Sequence, residues 1–141
     1  MKSTNPNDVI IITLCATITA MIIKSIISIV QEFIGCALIY IGCLCLFSGI
    51  LIIQLNTTNN ESTKTLTING PFNFSRNPIY LGMVTICSGL SLLYTNVISI
   101  AACIVLYCYL DQIVIPLEEN VLKHTFGEQY NNYCFKVNRW I

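Results

Sequence analysis

Long apolar gaps between charged residues constrain this chain more than any other feature. Lysine, arginine, aspartate and glutamate make up 10% of its 141 residues, against roughly 25% in an ordinary soluble domain. Four apolar segments lie between the charged clusters, at residues 9–30, 33–55, 79–94 and 97–115. Because about 20 apolar helical residues cross the core of a bilayer, these gaps predict a multi-pass membrane protein.

The predicted fold class is all-α, with about four transmembrane helices and C-terminal amphipathic helices at the membrane interface. Residues 1–141 are expected to form a single membrane domain. Polar residues 56–78 would be a cytoplasmic loop, and residues 116–141 an amphipathic tail that completes a site with residues 70–82. The polar pair Thr95-Asn96 predicts a tight turn, so the third and fourth segments should form a helical hairpin.

The lysines and arginines predict the orientation of the chain. With four crossings, both termini and the 56–78 loop share one side, which cationic residues mark as cytoplasmic. Six of the seven cations lie there: Lys2, Lys64, Arg76, Lys123, Lys136 and Arg139. Lys24 is the exception, and its long stem can reach the opposite interface. The formal net charge of zero gives no electrostatic reason to expect a nucleic acid partner.

Glycines recur every seven residues in the second segment, at Gly35, Gly42 and Gly49. Three missing side chains on one helix face allow another helix to approach closely. The sequence leaves open whether that helix belongs to the same chain.

The cysteines, the histidine and Asp111 give little indication of a functional site. The eight cysteines form no Cys-x-x-Cys pair, and His124 is the one histidine, so no metal site is expected. Asp111 lies in the fourth segment, where a carboxylate is costly. It should face protein, water or a bound polar group, and the sequence does not decide between a structural and a site role.

Two polar clusters flank the predicted hairpin. One, Arg76-Asn77-Pro78-Ile79-Tyr80, opens the third segment, and the other, Pro116-Leu117-Glu118-Glu119, follows the fourth. Each proline suits the first turn of a helix, where its missing N–H would have no partner. Because a hairpin brings its two ends together, the arginine and tyrosine should lie beside the two glutamates.

The tail after the second cluster is amphipathic. Tyr130, Tyr133, Cys134 and Val137 recur at helical spacing, and Gly127 is placed to end the preceding helix. Arg139 and Trp140 are expected to anchor the tail at the membrane interface. The tail could also cover a pocket.

The two clusters carry a resemblance to a known family. The stretch GPFNFSRNPIYLG, followed after an apolar hairpin by PLEENVLKHTFGEQYNNYCFKVNRWI, resembles the C-terminal signature of the isoprenylcysteine carboxyl methyltransferases. That signature is Arg-His-Pro-x-Tyr, a hydrophobic stretch, then Glu-Glu, and the similar part covers residues 64–141. The resemblance implies an integral-membrane methyltransferase that holds S-adenosylmethionine between the hairpin and the tail.

The resemblance also assigns roles to residues. Arg76 and Glu119 are the expected catalytic residues. The expected cofactor-binding residues are Arg76, Asn77, Pro78, Tyr80, Gly82, Glu118 and Glu119. Asn77 departs from the family pattern, which has histidine there, and an amide can hydrogen-bond but cannot titrate. Arg76 could pair with the carboxylate of the cofactor. Glu118 or Glu119 could bind its ammonium or its ribose hydroxyls. Tyr80, together with Phe72 or Phe74, could contact its sulfonium.

The acceptor is less defined than the cofactor. The resemblance favours a lipophilic or lipidated acceptor among membrane lipids, first a prenylcysteine-like carboxylate, with phospholipid amines and small thiols as alternatives. Two other classes stay open. YCFKV is similar to a stretch of NADPH-dependent sterol reductases, and the Asn77 departure suits a non-catalytic membrane protein on the same scaffold.

Overall fold

The computed structural model describes residues 6–59 and 66–141, and the side chains of residues 13–57 and 66–141. The described residues form helices and contain no strand, which confirms the predicted all-α class. The order is α1 Pro6–Asn59, a 3₁₀ turn Gly70–Asn73, α2 Pro78–Tyr94, α3 Val97–Tyr109, a π-helical turn Leu110–Val114, α4 Ile115–Phe126 and α5 Glu128–Lys136. Lys2 and Lys64, which entered the charge count, lie outside the described residues.

Two of the described helical stretches are long and apolar enough to cross a membrane, Thr13–Thr57 within α1 and the continuous run Val97–Phe126. The structure replaces the two segments expected at 9–30 and 33–55 with the single helix α1. Gln31 and Glu32 do not interrupt it, because both are good helix formers and neither glycine nor proline stands beside them. Since one continuous helix crosses a bilayer only once, the structure does not confirm the four expected crossings.

Glycines bring α1 and α2 into close contact. A Cβ at Gly82 would lie 2.7 Å from the carbonyl oxygen of Gly42, and one at Gly89 would lie 2.6 Å from that of Gly35. These distances leave no room for a side chain, so the two backbones touch directly. The partner of the glycine repeat is therefore α2 of the same chain, which runs antiparallel to α1. We call this contact the glycine seam, formed by Gly35, Gly42, Gly49, Gly82 and Gly89.

The turn at Thr95-Asn96 lies where the sequence predicts it. Thr95 has a φ of 45°, and the side chain of Asn96 accepts a hydrogen bond of 3.0 Å from the Ile98 N–H at the start of α3. α3 therefore runs back along α2 as a hairpin.

A π-helical turn carries the chain from α3 into α4 without a break. Pro116 lacks an N–H, and inside an α-helix its ring would collide with the preceding turn. Just before it, the Ile115 N–H donates to the Leu110 carbonyl, five residues back, and this wider turn accommodates the proline. The new helix expected at Pro116 is thus a continuation that carries Glu118 and Glu119 to the start of α2.

The tail folds back onto α4. Gly127, with a φ of 50°, separates α4 from α5. The inner face of α5 buries Tyr130 and Tyr133, and Val137 follows at its end. These three residues pack against Leu66, Leu122, Phe126 and Cys134.

Candidate functional site

A cavity of about 340 Å³ lies between the start of α2, the middle of α4 and the inner face of α5. Its volume falls within the range of roughly 300–1,000 Å³ found for small-molecule sites. Six of the residues expected to bind a cofactor line it, namely Arg76, Asn77, Pro78, Tyr80, Glu118 and Glu119. The rest of its wall is mainly apolar and aromatic.

Arg76 joins the two polar clusters across this cavity. Its Nη1 lies 3.3 Å from Glu119 Oε1 and also donates to Cys134 Sγ. Both charged side chains are largely buried, with 15% of Arg76 and 19% of Glu119 exposed. The Nε of Arg76 is buried and has no hydrogen-bond partner among the described residues. Because an unsatisfied buried donor is costly, the described residues do not pair the Arg76 guanidinium fully.

Tyr80 and Glu118 form the second contact between the clusters. The Tyr80 hydroxyl donates to Glu118 Oε1 at 2.6 Å. Within the described part of the chain, no lysine or arginine forms an ion pair with Glu118. Glu118, which is exposed, therefore presents a carboxylate without a cationic partner among the described residues at the edge of the cavity.

The C-terminal residues fasten the segment that precedes α2. The Arg76 N–H donates to the Asn138 carbonyl at 3.0 Å, and Asn77 Nδ2 donates to the Arg139 carbonyl at 3.1 Å. Ser75, which is 1% exposed, donates to the same carbonyl and accepts from the Asn77 N–H. The amide of Asn77 thus has a structural partner, which a histidine N–H could also contact.

Arg139 and Trp140 contact the site, although the sequence suggests interfacial anchors. Arg139 binds both oxygens of Glu119, at 3.2 and 2.7 Å, and its Nη1 lies 3.3 Å from Asp111 Oδ1. Trp140 Nε1 donates to the same Asp111 oxygen at 2.9 Å, and its ring lies 5.3 Å from that of Tyr107. Asp111, whose role the sequence leaves open, therefore holds the C-terminal segment.

Two buried tyrosines close the cavity from the α5 side. The Tyr133 hydroxyl donates to the Phe72 carbonyl at 2.7 Å. Burial raises the pKa of Tyr133 to about 12, although the Arg76 charge opposes the shift. Burial, followed by a hydrogen bond with Cys134, also raises the pKa of Tyr130. Both phenols are therefore neutral at physiological pH.

Some expected site residues lie elsewhere. Gly82 belongs to the glycine seam and does not line the cavity. Of the two phenylalanines considered, Phe72 lines the cavity, whereas Phe74 is 79% exposed. Sequence reasoning missed Leu122 and Phe126 as wall residues, since an apolar residue on an amphipathic helix signals only that it is buried.

The fold and the site together define a class of membrane protein. Long apolar helices end at a cavity whose wall is mainly apolar, and residues of two polar clusters and of the tail line it. A family model described as phospholipid methyltransferase matches residues 30–129, most of the chain and both clusters. The chain therefore belongs to the phospholipid methyltransferase family, whose members are membrane methyltransferases.

This family is related to the isoprenylcysteine carboxyl methyltransferases that the sequence resembles. The family match and the apolar helices indicate an integral membrane protein, and the match favours a methyltransferase over a reductase. It stops before Tyr133 and Arg139, so it does not cover the C-terminal segment. No curated protein and no solved structure matches the chain significantly.

Proposed function

We propose that the chain transfers a methyl group from S-adenosylmethionine to the amine of a membrane phospholipid. The observation that carries the proposal is the shared cavity, in which Arg76 from one cluster and Glu118 from the other face the same space. The family match supplies the reaction class. The charges around the cavity supply the argument for cofactor and acceptor.

The described residues fit S-adenosylmethionine, which when bound supplies a methyl group already activated on a sulfonium. Arg76 lines the cavity and touches Glu119 through Nη1 alone, so its guanidinium suits the carboxylate of the amino-acid part through a charge-assisted hydrogen bond. Glu119 accepts three hydrogen bonds or ion-pair contacts, from Arg76 and Arg139. A carboxylate has about four lone-pair sites, so one site stays open for the adjacent ammonium. Phe72 and Tyr130 offer aromatic wall.

The charge of Glu118 favours an amine as the acceptor. Its carboxylate attracts an ammonium group and repels another carboxylate. A lipid ammonium must lose a proton before its nitrogen can attack a methyl group. Glu118, oriented by the Tyr80 hydroxyl, is the carboxylate placed to accept that proton. Leu117 and Val121, exposed next to it on α4, would contact the acyl chains.

A prenylcysteine-like carboxylate is the second candidate acceptor, and the Arg-x-Pro-x-Tyr and Glu-Glu motifs favour it. A carboxylate is nucleophilic as it stands, so its methylation needs no base. The two acceptors therefore differ in their need for Glu118. Glu118→Gln should lower methyl transfer to an amine strongly and leave transfer to a carboxylate unchanged or faster.

Calorimetry of S-adenosylmethionine binding in detergent tests the cofactor assignment. Arg76→Ala should weaken binding about tenfold or more, because a charge-assisted hydrogen bond contributes roughly 1.5–3 kcal/mol. Lys123→Ala is the matched control, since it removes a positive charge from an exposed residue of α4 outside the cavity. Equal affinities in wild type and Arg76→Ala would remove the assignment.

Transfer of a radiolabelled methyl group tests the acceptor. The purified protein is placed in nanodiscs that contain either phosphatidylethanolamine or a prenylcysteine analogue in phosphatidylcholine. We expect label in phosphatidylethanolamine. Label in the prenylcysteine analogue alone would favour the second candidate, and label in neither would favour a non-catalytic protein.

A further inference from the structure

Four charged side chains form a row of alternating sign beside the cavity: Asp111, Arg139, Glu119 and Arg76. Adjacent members lie within 3.3 Å of each other. Asp111, in the π-helical turn, is one end of the row, and Arg76, just before Asn77, is the other. Three of its members are far apart in sequence, and the family match does not include Arg139.

The two arginines share Glu119 unequally. Arg139 binds both carboxylate oxygens, at 3.2 and 2.7 Å. Arg76 reaches one oxygen through Nη1 at 3.3 Å, and its Nε has no partner among the described residues. Bidentate pairing is the stronger arrangement, so most of the charge of Glu119 is compensated by Arg139. The positive charge of Arg76 is correspondingly less compensated.

Arg139 is held in this position from two sides. Asp111 contacts its Nη1, and its backbone carbonyl accepts hydrogen bonds from Ser75 and Asn77. These two donors flank Arg76 in sequence. The same segment therefore fixes both arginines relative to Glu119.

We propose that Arg139 is a positioning residue that occupies Glu119 and thereby keeps Arg76 available for the carboxylate of the cofactor's amino-acid part. This inference rests on the proposed function. Without Arg139, Glu119 would turn both oxygens to Arg76 and neutralise it. Arg139 itself need not touch the cofactor.

The test compares two ligands, S-adenosylhomocysteine and its decarboxylated analogue, by calorimetry on the full-length protein in detergent. The measured quantity is the ratio of their dissociation constants. Wild type should prefer the carboxylated ligand about tenfold. In Arg139→Gln the preference should fall to near one, and Arg139→Lys, which keeps the charge, should restore part of it.

Repeating the comparison in the Glu119→Gln variant separates the effect of the Arg139 charge on Arg76 from a general loosening of the C-terminal segment. In Glu119→Gln, no carboxylate competes for Arg76, so adding Arg139→Gln should leave the preference unchanged. Trp140→Phe, which removes a hydrogen bond to Asp111 but keeps the arginine, should also leave it unchanged. If Arg139→Gln does not fold, Arg139→Lys carries the test: the preference should be intermediate with Glu119 present and unchanged in Glu119→Gln.

Each outcome decides the matter. The inference is overturned if Arg139→Gln keeps the wild-type preference for the carboxylated ligand. It is also overturned if Arg139→Gln lowers that preference equally with Glu119 present and in Glu119→Gln, or if Trp140→Phe lowers it as much. Equal affinity of wild type for the two ligands overturns it alone and leaves the proposed function standing. Failure of wild type to bind either ligand overturns the proposed function and the inference with it.

Discussion

The glycine seam and the cavity lie along different parts of the same helix, α2, and are built in opposite ways. In the seam, α1 and α2 touch because side chains are missing, and no added atom fits. At the cavity, long charged side chains from the segment before α2, from α4 and from the C-terminal segment meet around a space that can hold a ligand. The seam therefore fixes the position of α2 against α1, and the charged residues determine which ligand can bind near the start of α2.

The first prediction would break this comparison at the seam. Gly82→Leu places a side chain where even a Cβ would lie 2.7 Å from the α1 backbone. We expect loss of the folded protein, because overpacking of this size exceeds the 1–3 kcal/mol that well-packed cores typically lose. Thermal unfolding in detergent and gel filtration measure it.

The control for the seam is Cys43→Leu. Cys43 follows Gly42 but is exposed, so the added side chain would point to lipid or detergent. We expect a near-normal melting temperature. A Gly82→Leu variant as stable as Cys43→Leu would show that the seam does not hold the helices together.

The second prediction concerns the charged residues. Glu119→Ala leaves two arginines without their shared partner and should lower the free energy of unfolding by about 3 kcal/mol. It should also weaken cofactor binding, because the ammonium of the cofactor loses the carboxylate proposed to bind it. Reversible denaturation and calorimetry measure the two effects. Glu128→Ala, at an exposed glutamate of α5, should change neither, and equal effects in both variants would contradict the account.

Much of the fold follows from sequence because its signals are local. The apolar segments predict the helices, Thr95-Asn96 predicts the turn, and the hairpin brings Arg76 and Tyr80 to Glu119 and Glu118. The seven-residue glycine repeat predicts a close helix contact. In each case one stretch of sequence contains the whole physical reason.

The remaining features depend on partners that no local pattern specifies. Gly82 lies beside the Arg-Asn-Pro-x-Tyr cluster but faces α1, and only the packing of two helices decides this. Arg139 and Trp140 are typical interface residues by composition, yet Glu119 and Asp111 bind them. The two apolar runs on either side of Glu32 predict separate helices, but a charged residue between apolar runs does not by itself end a helix, and α1 continues through it.

The third prediction uses pH to sharpen the description of the cavity wall. The pKa of Tyr133 is raised from 10.0 to about 12, so the unfolded chain loses this proton first as pH rises. Stability is then full below pH 10 and falls between pH 10 and 12, by about 1–3 kcal/mol for this group. Tyr133→Phe should reduce the slope in denaturation at several pH values. Tyr94→Phe, at an exposed tyrosine, should keep the wild-type slope.

The smallest expected effect belongs to the departure from the related family's pattern. Asn77 Nδ2 donates one hydrogen bond, to the Arg139 carbonyl, and a histidine N–H can replace it. Asn77→His should change the free energy of unfolding by about 1 kcal/mol or less and leave methyl transfer near its wild-type rate. A large gain in transfer would mean that the enzyme lacks an acid or base that histidine supplies.

The most direct test of the central claim is ultraviolet crosslinking of radiolabelled S-adenosylmethionine, followed by peptide mapping. If the two clusters form one cofactor site, the label should lie on the cavity wall, within residues 72–80 or 118–133. It should disappear in Arg76→Ala and with excess S-adenosylhomocysteine. Label at the hairpin turn near Thr95, or label that persists in Arg76→Ala, would contradict the account.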